Sequence, residues 1–182
     1  MIEEQKFSYP KTFLIGFGFF AVMVAWSVYN SFDPLFLANR FNLDPAQIGF
    51  FMTLDNIAAL LLQPAIGSLS DRTRTRIGRR LPFMLVGAPI AAIAFFFAPV
   101  VSVPLLDIPR EAMLPLFVTC TITFMLSMAI WRTPVVALMP DVTPSKYRSQ
   151  ANGVINFMGG IGSIIAFLIG GKLYEIAPQY PF

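Results

Sequence analysis

The sequence contains no histidine and one cysteine, Cys120. The first absence removes histidine metal ligands, imidazole proton relays and Ser-His-Asp catalysis. The second removes a disulfide framework and a thiolate metal site; Cys120 lies inside an apolar run and reads as a small packing residue. Charge is also scarce. Asp, Glu, Lys and Arg make up 13% of the chain, where soluble domains carry about 25%. No nucleophile–base pair and no cluster of metal ligands appears, so neither an enzyme nor a cofactor is expected. The net charge of +3 comes from basic residues that flank apolar runs, which gives no reason to expect a nucleic-acid partner.

What is abundant is apolar: 56% of residues are hydrophobic, with 19 Phe and 9 Met. A helix that crosses hydrocarbon needs about 20 mostly apolar residues. Five stretches qualify, 12–37, 45–70, 82–103, 112–139 and 150–171. The expected fold is an all-α integral membrane protein with five transmembrane helices in a lipid bilayer. Glu3 and Glu4 spoil the basic start of a cleavable signal, and the first apolar run is too long for one, so it reads as a retained helix. Asp44-Pro45-Ala46-Gln47 offers an N-cap acid, proline at the first helical position and the distal glutamine of a capping box. Pro34, Pro64, Pro89, Pro99, Pro115 and Pro134 fall inside spans, which predicts kinks.

The longest basic stretch joins the second and third spans. Arg72, Arg74, Arg76, Arg79 and Arg80 fall within nine residues. With the N-terminus in the cytoplasm, the inner side holds Lys6, Lys11, those five arginines, Lys146 and Arg148, and the outer side holds Arg40, Arg110 and Lys172. That asymmetry predicts a cytoplasmic N-terminus in a multi-pass plasma-membrane protein.

Three ionisable residues lie within the spans, and each is a functional hypothesis because such groups are costly in a membrane. Asp55 stands about ten residues from the outer end of its helix, roughly 15 Å deep, and Arg132 about seven from the inner end, roughly 10 Å deep. They come within side-chain reach. An ion pair is one reading; a role for Asp55 in cation or proton coupling and for Arg132 in substrate binding or gating is the other. Asp33 is nearer the outer surface, where a wet, cavity-edge position and a coupling role are both open.

Polar residues form helical stripes: Met23, Trp26, Asn30 and Asp33; Thr121, Met125, Met128 and Arg132; Asn152, Asn156, Gly159 and Ser163. Each set shares a face. A cavity lined by amide, hydroxyl, carboxylate and guanidinium groups beside an indole suits a sugar, whose hydroxyls need hydrogen-bonding partners and whose C–H face packs on Trp26. Helix–helix hydrogen bonding is the plainer alternative. Gly159/Ser163, Ala166/Gly170 and Gly87/Ala91 read as small-residue pairs for close helix packing.

Gly67, Asp71, Arg72, Gly78, Arg79 and Arg80 resemble the loop between helices two and three of the major facilitator superfamily. The longer insertion Thr73–Ile77 and the following Leu81-Pro82-Phe83 are similar to the glycoside–pentoside–hexuronide:cation symporters and sucrose carriers. Arg132-Thr133-Pro134, the run to Pro140-Asp141, and then Arg148 are similar to the fourth helix and following loop of sucrose-type carriers. The resemblance implies a twelve-helix protein of which this chain is an incomplete N-terminal half, lacking the sixth helix. A truncated product fits that, as does a short chain that assembles with a second one. It further implies a sugar:cation symporter working by alternating access. Asp141 and Arg148 repeat, in weaker form, the acid and base of Asp71 and the loop arginines; an acid–base pair in each inverted repeat reads as a conformational latch of the inward-closed state, and surface salt bridges are the plainer alternative. Asp55 matches a helix-two acid of the melibiose-type symporters, which bind their cation with acids on helices two and four. Ala59 stands where those carry a second acid, and helix four has Arg132 and no acid, so the coupling cation expected is a proton rather than sodium. The runner-up reading is a non-transporting membrane subunit that only packs against other helices.

Overall fold

A computed structural model describes residues 7–100 and 109–182. The end of the third expected span, 101–103, and Lys6 lie outside the described residues. Five helices carry the chain: α1 (Tyr9–Phe41), α2 (Pro45–Arg72), α3 (Leu81–Val100), α4 (Arg110–Val142) and α5 (Arg148–Ile176), with one 3₁₀ turn, Ser145–Tyr147, ahead of α5. No strand occurs among the described residues. All five helices are long and apolar enough to cross a membrane.

The helix ends have local causes. Pro10 sits in the first turn of α1, where its missing N–H has no partner to lose. Asn42 takes the left-handed conformation at φ 53°, and the N–H groups of Asn42 and Leu43 both turn back to Leu37 O, which closes α1. At the start of α2, Gln47 Oε1 accepts the Asp44 N–H at 3.1 Å, the glutamine half of the expected capping box.

The most extensive packing joins α1 to α5 and α3 to α4; α2 lies on α4, and α1 crosses α4. The small residues of α5 explain the first pair. A Cβ at Gly162 would come within 2.8 Å of Phe20 O, and one at Gly159 within 2.8 Å of the Phe19 ring. The backbones therefore meet at distances that only glycine permits. Ser27 Oγ donates to Ser163 Oγ at 2.9 Å across the same interface. On α3, a Cβ at Gly87 would lie 3.0 Å from Trp131 N of α4.

Between these pairs runs an aromatic seam. Phe36 stacks on Phe117 at 5.1 Å, Tyr29 meets Phe124 at 5.6 Å, and Phe124 stacks on Phe95 at 4.4 Å between ring centroids. The outer surface is apolar, with Phe50, Leu60, Leu61, Phe157, Ile164 and Leu168 exposed. That suits contact with acyl chains.

Candidate functional site

Trp26 of α1, Asp55, Ala59 and Gln63 of α2, and Met125, Met128, Ala129 and Arg132 of α4 line one cleft. Steps of four on α2, and of three and four on α4, bring these residues to facing sides of two helices. Asp55 is 8% exposed. The Arg132 guanidinium carbon lies 5.0 Å above the centre of the Trp26 ring, a cation–π arrangement. No ion pair joins Asp55 to Arg132 among the described residues. The ion-pair reading is therefore corrected: Arg132 shares the cleft with Asp55 but rests its planar face on the indole instead of closing a salt bridge. A guanidinium so placed keeps most of its donors free. Free space in the cleft is about 10 Å³, near the minimum for one water. In this conformation it is closed to anything larger.

The bigger cavity is a poor rival. About 750 Å³ lies between α1, α3 and α4, but Val24, Val28, Ala91, Phe95, Phe96 and their neighbours line it. Such walls offer almost nothing to a hydroxyl.

Asp33 departs from the cavity-edge expectation. It is 0% exposed, and neither carboxylate oxygen has a hydrogen-bond partner among the described residues. Proximity to a helix end misleads here because α4 covers that face of α1 along the aromatic seam. Asn30, Asn152 and Asn156 lie on exposed positions, away from the cleft. Asn30 Nδ2 donates to Trp26 O at 2.8 Å, and Asn156 Nδ2 donates to Asn152 O and Oδ1 at 2.8 and 2.9 Å. These amide donors are satisfied within their own helices.

At the arginine-rich end, one guanidinium serves three acceptors. Arg80 Nη2 reaches Asp71 Oδ1 at 2.6 Å, Nε reaches Asp141 Oδ2 at 2.9 Å, and Nη1 donates to Ser70 Oγ at 3.1 Å. Arg79 Nη2 holds the other Asp141 oxygen at 2.7 Å. The ends of α2, α3 and α4 are thus tied at one point. Gly78, at φ 100°, supplies the turn that brings Arg79 and Arg80 back over α2. Arg148 does not pair with Asp141; it donates to Pro140 O at 3.1 Å and Thr143 O at 3.4 Å, capping the carbonyls that α4 leaves open. Arg72 is exposed outside this network. A Cβ at Gly67 would meet the Thr133 methyl at 3.7 Å, an ordinary contact.

Sequence reasoning missed Gln63, Tyr29 and Ser70. Gln63 was findable, since it stands two helical turns along the face of Asp55. Ser70 carried no signal, because its partner is ten residues away across a turn.

Residues 15–182 match the Major Facilitator Superfamily. The chain is 29% identical over 161 residues to the "Nitrite extrusion protein" of Bacillus subtilis (strain 168), covering 88% of this chain and 36% of that protein. It is 28% identical over 164 residues to the "General alpha-glucoside permease" of Schizosaccharomyces pombe, covering 85% and 29%. It is 29% identical over 136 residues to "Sucrose transport protein SUC3" of Arabidopsis thaliana, covering 67% and 23%. The chain thus spans about a third or less of the length of these relatives. Five membrane-length helices and a match over nearly all of its length place the chain in the Major Facilitator Superfamily, as a fragment of a longer family member.

Proposed function

We propose that the chain forms one wall of a sugar:proton symporter that works by alternating access, seated in the plasma membrane with its N-terminus in the cytoplasm. The observation that carries this reading is the cleft. A carboxylate, a guanidinium and an indole face each other from three helices, inside an otherwise apolar bundle. Arg132 supplies donors for sugar hydroxyls, Trp26 a flat face for C–H groups, and Gln63 a further amide. Asp55 carries the coupling proton. Its negative charge is held in place by Arg132 across the cleft; when substrate engages the guanidinium, Asp55 takes a proton instead, so that binding and protonation occur together. With Ala59 one turn away and no second acid in the cleft, the donor set suits a proton better than sodium, which needs several oxygens. Asn30, Asn152 and Asn156 face the partner wall, supplied by the rest of the full-length protein or by a second chain. The relatives named for an α-glucoside and for sucrose support a sugar as substrate.

The test uses the full-length protein in liposomes with radiolabelled sucrose and maltose. Asp55→Asn is expected to abolish accumulation against a gradient while leaving downhill exchange. Equal loss of both modes rejects the coupling role. One relative is named for nitrite, and Arg132 keeps free donors, which favours a second reading with an anion as substrate; inhibition of uptake by nitrite but not by sugars would select it. Orientation is tested separately, in a Cys120→Ala background with a cysteine at Ser68. Rapid labelling of intact cells by an impermeant thiol reagent would invert the topology.

A further inference from the structure

Between the start of α1 and the turn that follows α4 lies a second polar space, at the arginine-rich end of the bundle and separate from the cleft. Its volume is about 260 Å³, many times the roughly 30 Å³ that one water takes in the liquid. Ser8, Lys11 and Thr12 line it from one side and Thr143 and Pro144 from the other, and Ile15 and Val142 give it an apolar wall. Thr12 and Thr143 are 4% and 7% exposed. Thr12 Oγ1 donates to Ser8 O at 3.0 Å. Thr143 N–H donates to Met139 O, and its carbonyl accepts Arg148 Nε. The Thr143 hydroxyl is then the one polar group of this buried residue that has no partner among the described residues, and it lines the cavity.

The groups around this space favour an anion. Lys11 is exposed and closes no ion pair among the described residues. No acid stands in the first turn of α1, and the Ser8 side chain does not cap it. The first N–H groups of α1, its positive end, therefore stay open. The negative end of α4 is already covered, because Arg148 donates to Pro140 O and Thr143 O. Asp141, the acid beside this turn, is held by Arg79 and Arg80. Phe7 lies 4.6 Å from Tyr9 and 5.6 Å from Tyr147 between ring centroids, and Lys146 Nζ stands 5.6 Å from the centre of the Tyr147 ring. Aromatic and lysine side chains gathered in this way mark headgroup depth in a bilayer. Phe13, Leu14 and Phe17, exposed in the next turns of α1, mark where hydrocarbon begins.

We propose that this cavity holds the phosphate of an anionic phospholipid. Lys11 and the open N–H groups of the first turn of α1 take the phosphate oxygens, and the Thr143 hydroxyl donates to one of them. The acyl chains leave over Ile15 and Val142, the apolar wall that a free phosphate ion could not use. An uncharged headgroup such as glycerol is preferred over choline, whose ammonium would be brought against Lys11 and Lys146. Bound there, the lipid ties the start of α1 to the α4–α5 turn, as Arg80 ties the ends of α2, α3 and α4. Which leaflet supplies the lipid follows from the orientation proposed above; the binding itself does not depend on it.

Native mass spectrometry of the full-length protein, titrated with dioleoylphosphatidylglycerol or dioleoylphosphatidylcholine, tests the site. The first phosphatidylglycerol is expected to bind about tenfold more tightly than the first phosphatidylcholine, as two lysines beside an anionic headgroup require. Lys11→Gln should cut that preference about fivefold, the share of one lysine. Lys11 is exposed, so this variant carries little risk to folding. Thr143→Val should weaken phosphatidylglycerol binding, and Thr143→Ser should restore it. Lys172→Gln, exposed at the far end of α5, should leave the preference intact. Equal affinity for the two lipids overturns the proposal, as does a preference unchanged in Lys11→Gln or lost equally in Lys172→Gln, which would mean attraction by bulk charge. Millimolar inorganic phosphate should not displace the lipid; displacement assigns the cavity to a free anion and overturns the lipid. A preference that holds while a cysteine at Ser68 labels from outside would reject the proposed orientation and leave the site standing.

Discussion

At the arginine-rich end, Asp71 and Asp141 close ion pairs at 2.6 to 2.9 Å, whereas Asp33 and Asp55, inside the bundle, close none among the described residues. The contrast runs against simple energetics. Charges near water gain little from pairing, while charges in a membrane interior gain most from it. A fold selected only for stability would pair the inner acids first. The acids of the arginine-rich end instead hold three helix ends together, a positional task that tight geometry serves. The inner acids are left with oxygens uncommitted, which suits groups that must change partners or take up protons. Arg132 follows the same rule, since an indole face holds it in place without consuming its hydrogen-bond donors.

The strongest way to break this comparison is at Arg80, the buried centre of the paired end. Arg80→Leu leaves Asp71, Asp141 and Ser70 without their shared donor. A loss of about 2–3 kcal/mol is expected, at the upper end for lost hydrogen bonds to charged groups, because Asp141 keeps Arg79 and Asp71 is reached by water. Thermal unfolding of the purified full-length protein measures it. Arg80→Lys should recover only part, because an ammonium cannot present the three directed N–H groups that the guanidinium uses. A Lys variant as stable as the natural protein would mean that charge alone matters at that end.

The next test takes the unpaired interior. Arg132→Ala removes the cation over Trp26 and leaves Asp55 facing an apolar cleft. Asp55→Asn removes the carboxylate charge. The double substitution should be more stable than the sum of the singles by about 1 kcal/mol, within the 0.5–3 kcal/mol range seen for neighbouring groups. Additive effects in a thermal-unfolding cycle would show that the two do not sense each other, and the coupling proposal would lose its physical basis.

The two regions also differed in how far the sequence could be read. Five apolar runs separated by charge and proline made the helices visible, since length and hydropathy are local properties. Asp55, Arg132 and Trp26 were legible because one charge in an apolar helix is conspicuous and helical spacing is regular. The partners were not. Depth counting brought Asp55 and Arg132 to the same neighbourhood but cannot tell an ion pair from a guanidinium resting on an indole, which depends on side-chain direction. The cavity-edge reading of Asp33 failed for a related reason: distance from a helix end says nothing about which neighbour covers that face. Asp141 was matched to Arg148 by analogy between two loops, yet space matched it to Arg79 and Arg80, and the crossing of α4 over the α2–α3 turn decides that.

A smaller effect sharpens the comparison along the α1–α5 interface, where neither charge nor polarity intervenes. Gly162→Ala places a methyl within 2.8 Å of Phe20 O, and backbone must shift to admit it. About 1–3 kcal/mol of destabilisation is expected from such overpacking. Gly160→Ala, with nothing within 4 Å, should be neutral or slightly stabilising, because alanine is the better helix former. Equal effects of the two would mean that α1 and α5 do not approach as closely as described.

The smallest expected change separates the two acids of the paired end. Asp141 bridges Arg79 and Arg80 with its side chain 22% exposed, while Asp71 holds only Arg80 and is 55% exposed. Water screens the second contact and substitutes for it readily. Asp71→Asn is therefore expected to cost at most about 1 kcal/mol, and Asp141→Asn two to three times as much, since it leaves Arg80 buried with one carboxylate instead of two. If the end acts as a latch, Asp71→Asn should slow uptake by the full-length protein while substrate affinity stays within a few-fold, because a contact made in one conformation changes the rate of leaving it without touching the cleft. Measured together, binding affinity and uptake rate decide the matter. An affinity that collapses while the conformational rate holds would place the influence of Asp71 in the binding site and end the latch reading, even with the ion pair present.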